Sequence, residues 1–100
     1  MIVNFSPQRN DDKLEYIFKG ETIIATLNGA TDTFDFSTLQ EGDEVARNEE
    51  TGQLEVETNL PLLPILGARR ENGEVIVTVI TYHGKDAPES ERFPVPLEVE

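Results

Sequence analysis

Residues Val75-Ile76-Val77-Thr78-Val79-Ile80-Thr81-Tyr82 are β-branched or aromatic at every position. Side chains of this kind lose rotamer freedom in a helix and pack well on a pleated surface, so the run predicts a strand. Apolar atoms point to both faces, which makes it a central strand with a neighbour on each side. Just upstream, Asn72-Gly73 is a dipeptide whose two residues tolerate positive φ, as a two-residue type I′ turn requires. The turn folds Ile65–Arg70 back against the run. It sets Arg70 opposite Val75, Ala68 opposite Val77 and Leu66 opposite Val79 on one face, and Ile65 opposite Ile80 on the other. The same register puts Glu71 opposite Glu74, a like-charge pair at the turn that a wider four-residue loop would relieve.

The first third of the chain repeats the pattern. In Leu14-Glu15-Tyr16-Ile17-Phe18 the large side chains at 14, 16 and 18 share a face. Lys19-Gly20-Glu21 interrupts the run, and Thr22–Leu27 resumes it. Asn28-Gly29 then leads into Thr31–Phe36, in which Phe34 and Phe36 take one side and Thr33 and Asp35 the other. A three-stranded meander with one dry and one wet face follows. At the far end Phe93-Pro94-Val95-Pro96-Leu97-Glu98-Val99 is extended with prolines two apart. Residues i and i+2 of a strand point their N–H groups to the same side, so both missing donors fall on one edge and the segment pairs on the other edge only. That places it at a sheet rim, where it also blunts aggregation.

Between these units, Ser37–Gly52 has no apolar period and reads as a loop, or at most one short helical turn. Gln53–Thr58 alternates and predicts a short strand. One hundred residues suffice for one core and not two, so 1–100 is expected to be a single domain. Together the elements predict an all-β fold, a small antiparallel sandwich or partly open barrel of about six to seven strands with an acidic loop.

Charge narrows the function. The formal net charge is -12, with twenty Asp and Glu against eight Lys and Arg. Such a field repels phosphate backbones and anionic lipid, so no nucleic acid and no membrane is expected as a partner. The excess is uneven: Glu41–Glu57 holds seven acids against Arg47, a net of -6, half of the total. With no cysteine, disulfides, thiolate nucleophiles and thiolate metal sites are excluded. The N-terminal residues show no basic and apolar leader pattern, and no window approaches the length of a spanning helix.

Candidate chemistry is sparse. His83, Asp86 and Ser90 carry the atom types of a nucleophilic triad, but three polar residues in one polar stretch are also ordinary surface. Carboxylate pairs at 11–12, 43–44 and 49–50 are too common in this composition to mark acid–base work. The oxygens of Asp43, Glu44, Asn48, Glu49 and Glu50 do not follow the calcium-loop spacing. Arg69-Arg70 reads as salt pairing with acids across its hairpin. No catalytic residue, cofactor or metal is therefore assigned. Leu60-Pro61-Leu62-Leu63-Pro64-Ile65-Leu66 is the most apolar stretch, and its prolines keep it from running as a central strand. Leu60, Leu62, Leu63 and Leu66 either close an open end of the fold or form a partner-binding patch.

Two sets of residues resemble a known family. Asn4-Phe5-Ser6-Pro7-Gln8-Arg9-Asn10-Asp11-Asp12, with Phe34-Asp35-Phe36-Ser37, resembles the N-terminal half of small uncharacterised proteins from bacteriophage and prophage tail gene clusters. Asn72-Gly73-Glu74, His83-Gly84-Lys85-Asp86-Ala87-Pro88-Glu89 and Arg92-Phe93-Pro94-Val95-Pro96 resemble that family's closing motif in kind and order. The middle, Glu41–Leu63, departs from it. The resemblance implies a tail-module context and no established activity. It leads to the expectation of a non-enzymatic minor tail component or tail-assembly accessory whose partners are other phage tail or virion proteins. Its place would be the bacterial host cytoplasm during assembly, or the virion. An acidic decoy of a host nucleic-acid-binding protein is the alternative that the net charge suggests.

Overall fold

A computed structural model describes residues 1–42, 60, 63–85 and 94–99. Among them are seven strands and no helix: β1 (Ile2–Arg9), β2 (Leu14–Lys19), β3 (Thr22–Leu27), β4 (Ala30–Asp35), β5 (Ile65–Glu71), β6 (Glu74–His83) and β7 (Leu97–Glu98). They form a four-stranded sheet ordered β5-β6-β1-β7 and a three-stranded sheet ordered β2-β3-β4, not a closed barrel. The short strand expected over Gln53–Thr58 and most of the acidic stretch lie outside the described residues.

The meander follows its turn chemistry. Gly20, with φ 61, occupies the first central position of the β2–β3 turn, where a type II′ turn needs glycine. Asn28 and Gly29, with φ 50 and 90, make the β3–β4 turn. The register runs Tyr16–Ala25–Asp32 and Phe18–Ile23–Phe34 across the three strands. Ile23, Ala25, Leu27, Phe34 and Phe36 are buried on its inner face, with Leu14, Tyr16 and Phe18 packed against them.

The β5–β6 hairpin turns at Asn72-Gly73, with φ 53 and 79, and pairs Arg70 with Val75 and Ala68 with Val77, as its pattern predicts. Beyond Gly67 the register slips at a β-bulge, and Ile65 rather than Leu66 stands opposite Val79. The physical reason is burial. The extra residue puts Ile65, at 1% exposure, into the core and leaves Leu66, at 39%, outside. Glu71 and Glu74 do face each other across a two-residue turn. Each has its own cation: Arg69 Nε lies 3.1 Å from Glu71, and the Met1 amino group 2.7 Å from Glu74.

Strand β6 is central, and its neighbour on the far side is β1 in parallel register, from Ile2 with Ile76 to Arg9 with His83. β1 is not among the strands that the sequence pattern predicts. Its alternation of Val3 and Phe5 with Asn4 and Ser6 was the available signal, and Pro7 obscured it. The structure shows why the proline is tolerated. Met1 and Val99 exchange both backbone hydrogen bonds, at 2.8 and 2.7 Å, so odd-numbered residues of β1 face β7 and even-numbered ones face β6. Pro7 is odd-numbered, and β7 pairs only with Ile2 and Val3. The missing donor therefore costs the β1–β6 ladder nothing. β7 lies at the sheet rim, as expected of that segment, but the strand covers only Leu97–Glu98 of the extended stretch expected over Phe93–Val99, with Pro94 and Pro96 before it.

The inner face of this sheet buries Val3, Ala68, Val75, Val77 and Val79 against the meander. One defect stands out there: the Thr81 hydroxyl is buried without a hydrogen-bond partner. Leaving a buried polar group unpaired costs free energy that an apolar isostere avoids. Thr81→Val is therefore expected to be neutral or stabilising by up to about 1 kcal/mol, read from chemical denaturation. A loss of stability would show that the hydroxyl has a partner.

Candidate functional site

Among the described residues, three places bear on function. The first joins the two sheets. Arg70, on β5, reaches across to Glu21 at the β2–β3 turn, with Nη1 2.9 Å and Nη2 3.1 Å from its carboxylate. Its remaining donors go to the carbonyls of Leu39, of Gly73 at 3.0 Å and of Ser37 at 3.5 Å. The hydrogen bond to the Glu21 carboxylate raises the Arg70 pKa, so the guanidinium stays charged. Glu41 completes the arrangement by accepting the amides of Asn72 and of Gly73, the latter at 2.8 Å, while the Gly42 amide donates to the Arg70 carbonyl at 3.0 Å. A planar fork of five donors suits this task, and an ammonium would not span it.

These contacts correct the sequence reading of Arg69-Arg70. Arg69 pairs along its own strand with Glu71, and the partner of Arg70 lies on the other sheet. Glu41, which the composition groups with solvated acids, caps a turn. The expected consequence is an asymmetry between adjacent arginines. Arg70→Met lowers the thermal midpoint several times more than Arg69→Met, because it strands three carbonyls and Glu21 together. Equal effects would mean that the cross-sheet contacts contribute nothing.

The second place is the apolar segment. Leu60 is buried at 6% exposure and belongs to the core, Leu63 packs partly buried against it, and Pro64 and Ile65 are almost fully enclosed. Leu66 stands outside, and Leu62 lies outside the described residues. Of the four leucines, then, Leu60 and Leu63 close the core and Leu66 is presented to solvent.

The third place is the end of the β1–β6 pair. Parallel register sets Arg9 beside His83, and the Asn10 amide donates to the His83 carbonyl at 3.1 Å. Around them, Arg9 pairs with Asp11 at 2.8 Å, the Asn10 side chain accepts the Asp12 amide at 2.8 Å, and His83 Nδ1 lies 3.2 Å from the Gly84 carbonyl. Burial, and then the nearby Asp12, push the Tyr82 hydroxyl up from its usual pKa. Arg9, Asp11, Asp12, Gly84 and Lys85 are all exposed. The result is a mixed-charge polar surface built from segments more than seventy residues apart. Asp86 and Ser90, the other members of the candidate triad, lie outside the described residues. Among the described residues no three acidic or histidine side chains gather as a metal site, and no helix is long and apolar enough to cross a membrane.

No family model, no curated protein and no solved structure matches this chain.

Proposed function

We propose that this chain is a non-enzymatic component of a phage or prophage tail module, a minor tail protein or assembly accessory that works through contacts with other tail or virion proteins. The supporting observation is spatial. Of the segments that resemble the tail-cluster family, the described residues Arg9–Asp12 and His83–Lys85 meet where β1 and β6 end. Segments that far apart in sequence form one exposed surface there, rich in the polar and charged groups of an interface rim. The partners act during assembly in the host cytoplasm or in the virion.

Affinity capture from induced lysogens, with mass spectrometry of what is bound, tests the reading. Recovery of a tail or virion protein is expected, and it weakens sharply with Arg9→Ala combined with Lys85→Ala. Both side chains are exposed, so the variant keeps its fold. Failure to recover any tail or virion protein would sink the proposal.

A further inference from the structure

Every strand at the rim of a sheet carries unpaired backbone groups that must be covered, blunted or used. Among the described residues the four rims are β5, β7, β2 and β4. Beside β7, whose outward residue is Glu98, Pro94 and Pro96 precede the strand and have no N–H with which to extend its edge. On β5 the outward carbonyl of Arg70 accepts the Gly42 amide at 3.0 Å. On β4 the outward amide of Thr33 is taken by the side chain of Asp32 at 2.8 Å.

Among the described residues nothing of this kind caps the outward backbone groups of β2. Lys19 and Thr22 flank its two-residue turn, and the Lys13 carbonyl accepts the Asn28 amide at 2.8 Å, so odd-numbered residues face β3. Leu14, Tyr16 and Phe18 therefore aim their backbone N–H and C=O groups outward, and among the described residues those groups bond to nothing. No proline or bulge interrupts the strand. Its outer face carries Ile17, 62% exposed, between Glu15 and Lys19, with Ile24 of β3 alongside.

We propose that this edge pairs antiparallel with the same edge of a second copy of the chain, joining two meanders into one six-stranded sheet. The charges select one register. With the two-fold axis at Ile17, Tyr16 exchanges both backbone bonds with Phe18 of the second copy, Ile17 meets Ile17, and Glu15 meets Lys19 twice. Centring the pair on Tyr16 sets Lys13 against Lys19. A centre at Phe18 sets Glu15 against Glu21, and one at Glu15 opposes that acid to itself. Like charges directly opposite are unfavourable, and a Leu14-centred pair, which would match Lys13 with Glu15, runs off the start of β2 into Asn10–Lys13; the Ile17-centred register alone keeps opposite charges paired within the strand. An edge contact of this size is weak, and the charge of -12 on each copy opposes it at low ionic strength.

Sedimentation equilibrium of the whole chain at near-physiological salt, to about 1 mM, tests the pairing. A monomer–dimer equilibrium is expected. Glu15→Lys and Lys19→Glu each raise the dissociation constant by about tenfold or more, and the double swap restores it. Hydrogen exchange at the Tyr16 and Phe18 amides slows as concentration rises. Both substituted residues are exposed, so the variants fold. A wild-type chain monomeric throughout, or association indifferent to the single charge reversals, overturns the proposal.

Discussion

Tyr16→Phe lowers the stability of the domain by about 1–3 kcal/mol, although it removes a single oxygen atom. The Ile80 amide donates to the Pro64 carbonyl at 2.9 Å, one half of an antiparallel exchange that proline, having no N–H, cannot return. The Ile80 carbonyl is bonded instead by the Tyr16 hydroxyl, reaching over from the other sheet. Removing that hydroxyl strands a partly buried carbonyl next to the bulge. Pro64→Ala supplies the missing amide, so Tyr16→Phe costs less in the Pro64→Ala background than alone. A double-mutant cycle measures the difference, and strict additivity would show that the hydroxyl and the proline are not coupled.

The same hydroxyl governs alkaline stability. Burial, and then the nearby Tyr82, raise its pKa well above the usual 10, because the folded state holds the neutral form. A group whose folded pKa is raised contributes fully below its unfolded pKa, and the contribution is lost as pH rises. Stability is therefore expected to fall from about pH 10 upward, where only the unfolded Tyr16 ionises. Tyr82, raised in the same direction, adds to the slope. Tyr16→Phe flattens it, and an unchanged alkaline slope in that variant would refute the assignment.

Ile23→Ala is expected to cost about 2–5 kcal/mol, a large share of the roughly 5–15 kcal/mol that holds a domain of this size together. Ile23 is fully buried at the centre of the meander's inner face, with Phe18 and Phe34 as its cross-strand partners. Phe18 in turn meets Phe5 of the other sheet edge to face, ring centroids 6.2 Å apart, so the cavity would open between the sheets. Ile17→Ala, on the opposite face of the meander, should stay within about 0.5 kcal/mol of wild type at concentrations where the chain is monomeric. Denaturant midpoints at constant slope read both. Comparable losses would mean that the inner and outer faces have been exchanged.

The all-β fold, the β2–β3–β4 meander and the β5–β6 hairpin were legible in the sequence because each depends on neighbours in the chain. Alternation defines the faces of Leu14–Phe36, and Asn28-Gly29 and Asn72-Gly73 fix the register within a few residues. The bulge at Ile65–Gly67 was not legible, since strict alternation puts Leu66 in the core and only packing chooses Ile65. The β1–β6 pairing was hidden for a different reason. Parallel partners from opposite ends of a chain share no turn, and Pro7 makes the first strand read as irregular. Among the candidate contact residues, the sequence singled out the apolar segment but not how its leucines divide between core and surface. Glu21 and Glu41 were invisible as partners of Arg70 and its turn among twenty acids.

β1 and β6 run parallel, and only that direction brings Arg9 and Asn10 beside His83. The chain has no cysteine, so an introduced pair reports cleanly. Parallel register places Ser6 opposite Ile80, within the span that a disulfide bridges. An antiparallel pairing centred on Asn4 and Thr78 would place Ser6 opposite Ile76 instead. Under mild oxidation Ser6→Cys with Ile80→Cys is expected to cross-link within the monomer, while Ser6→Cys with Ile76→Cys, about 13 Å apart, stays reduced. The reverse outcome would separate Asn4–Asp12 from His83 and contradict the account of the shared surface.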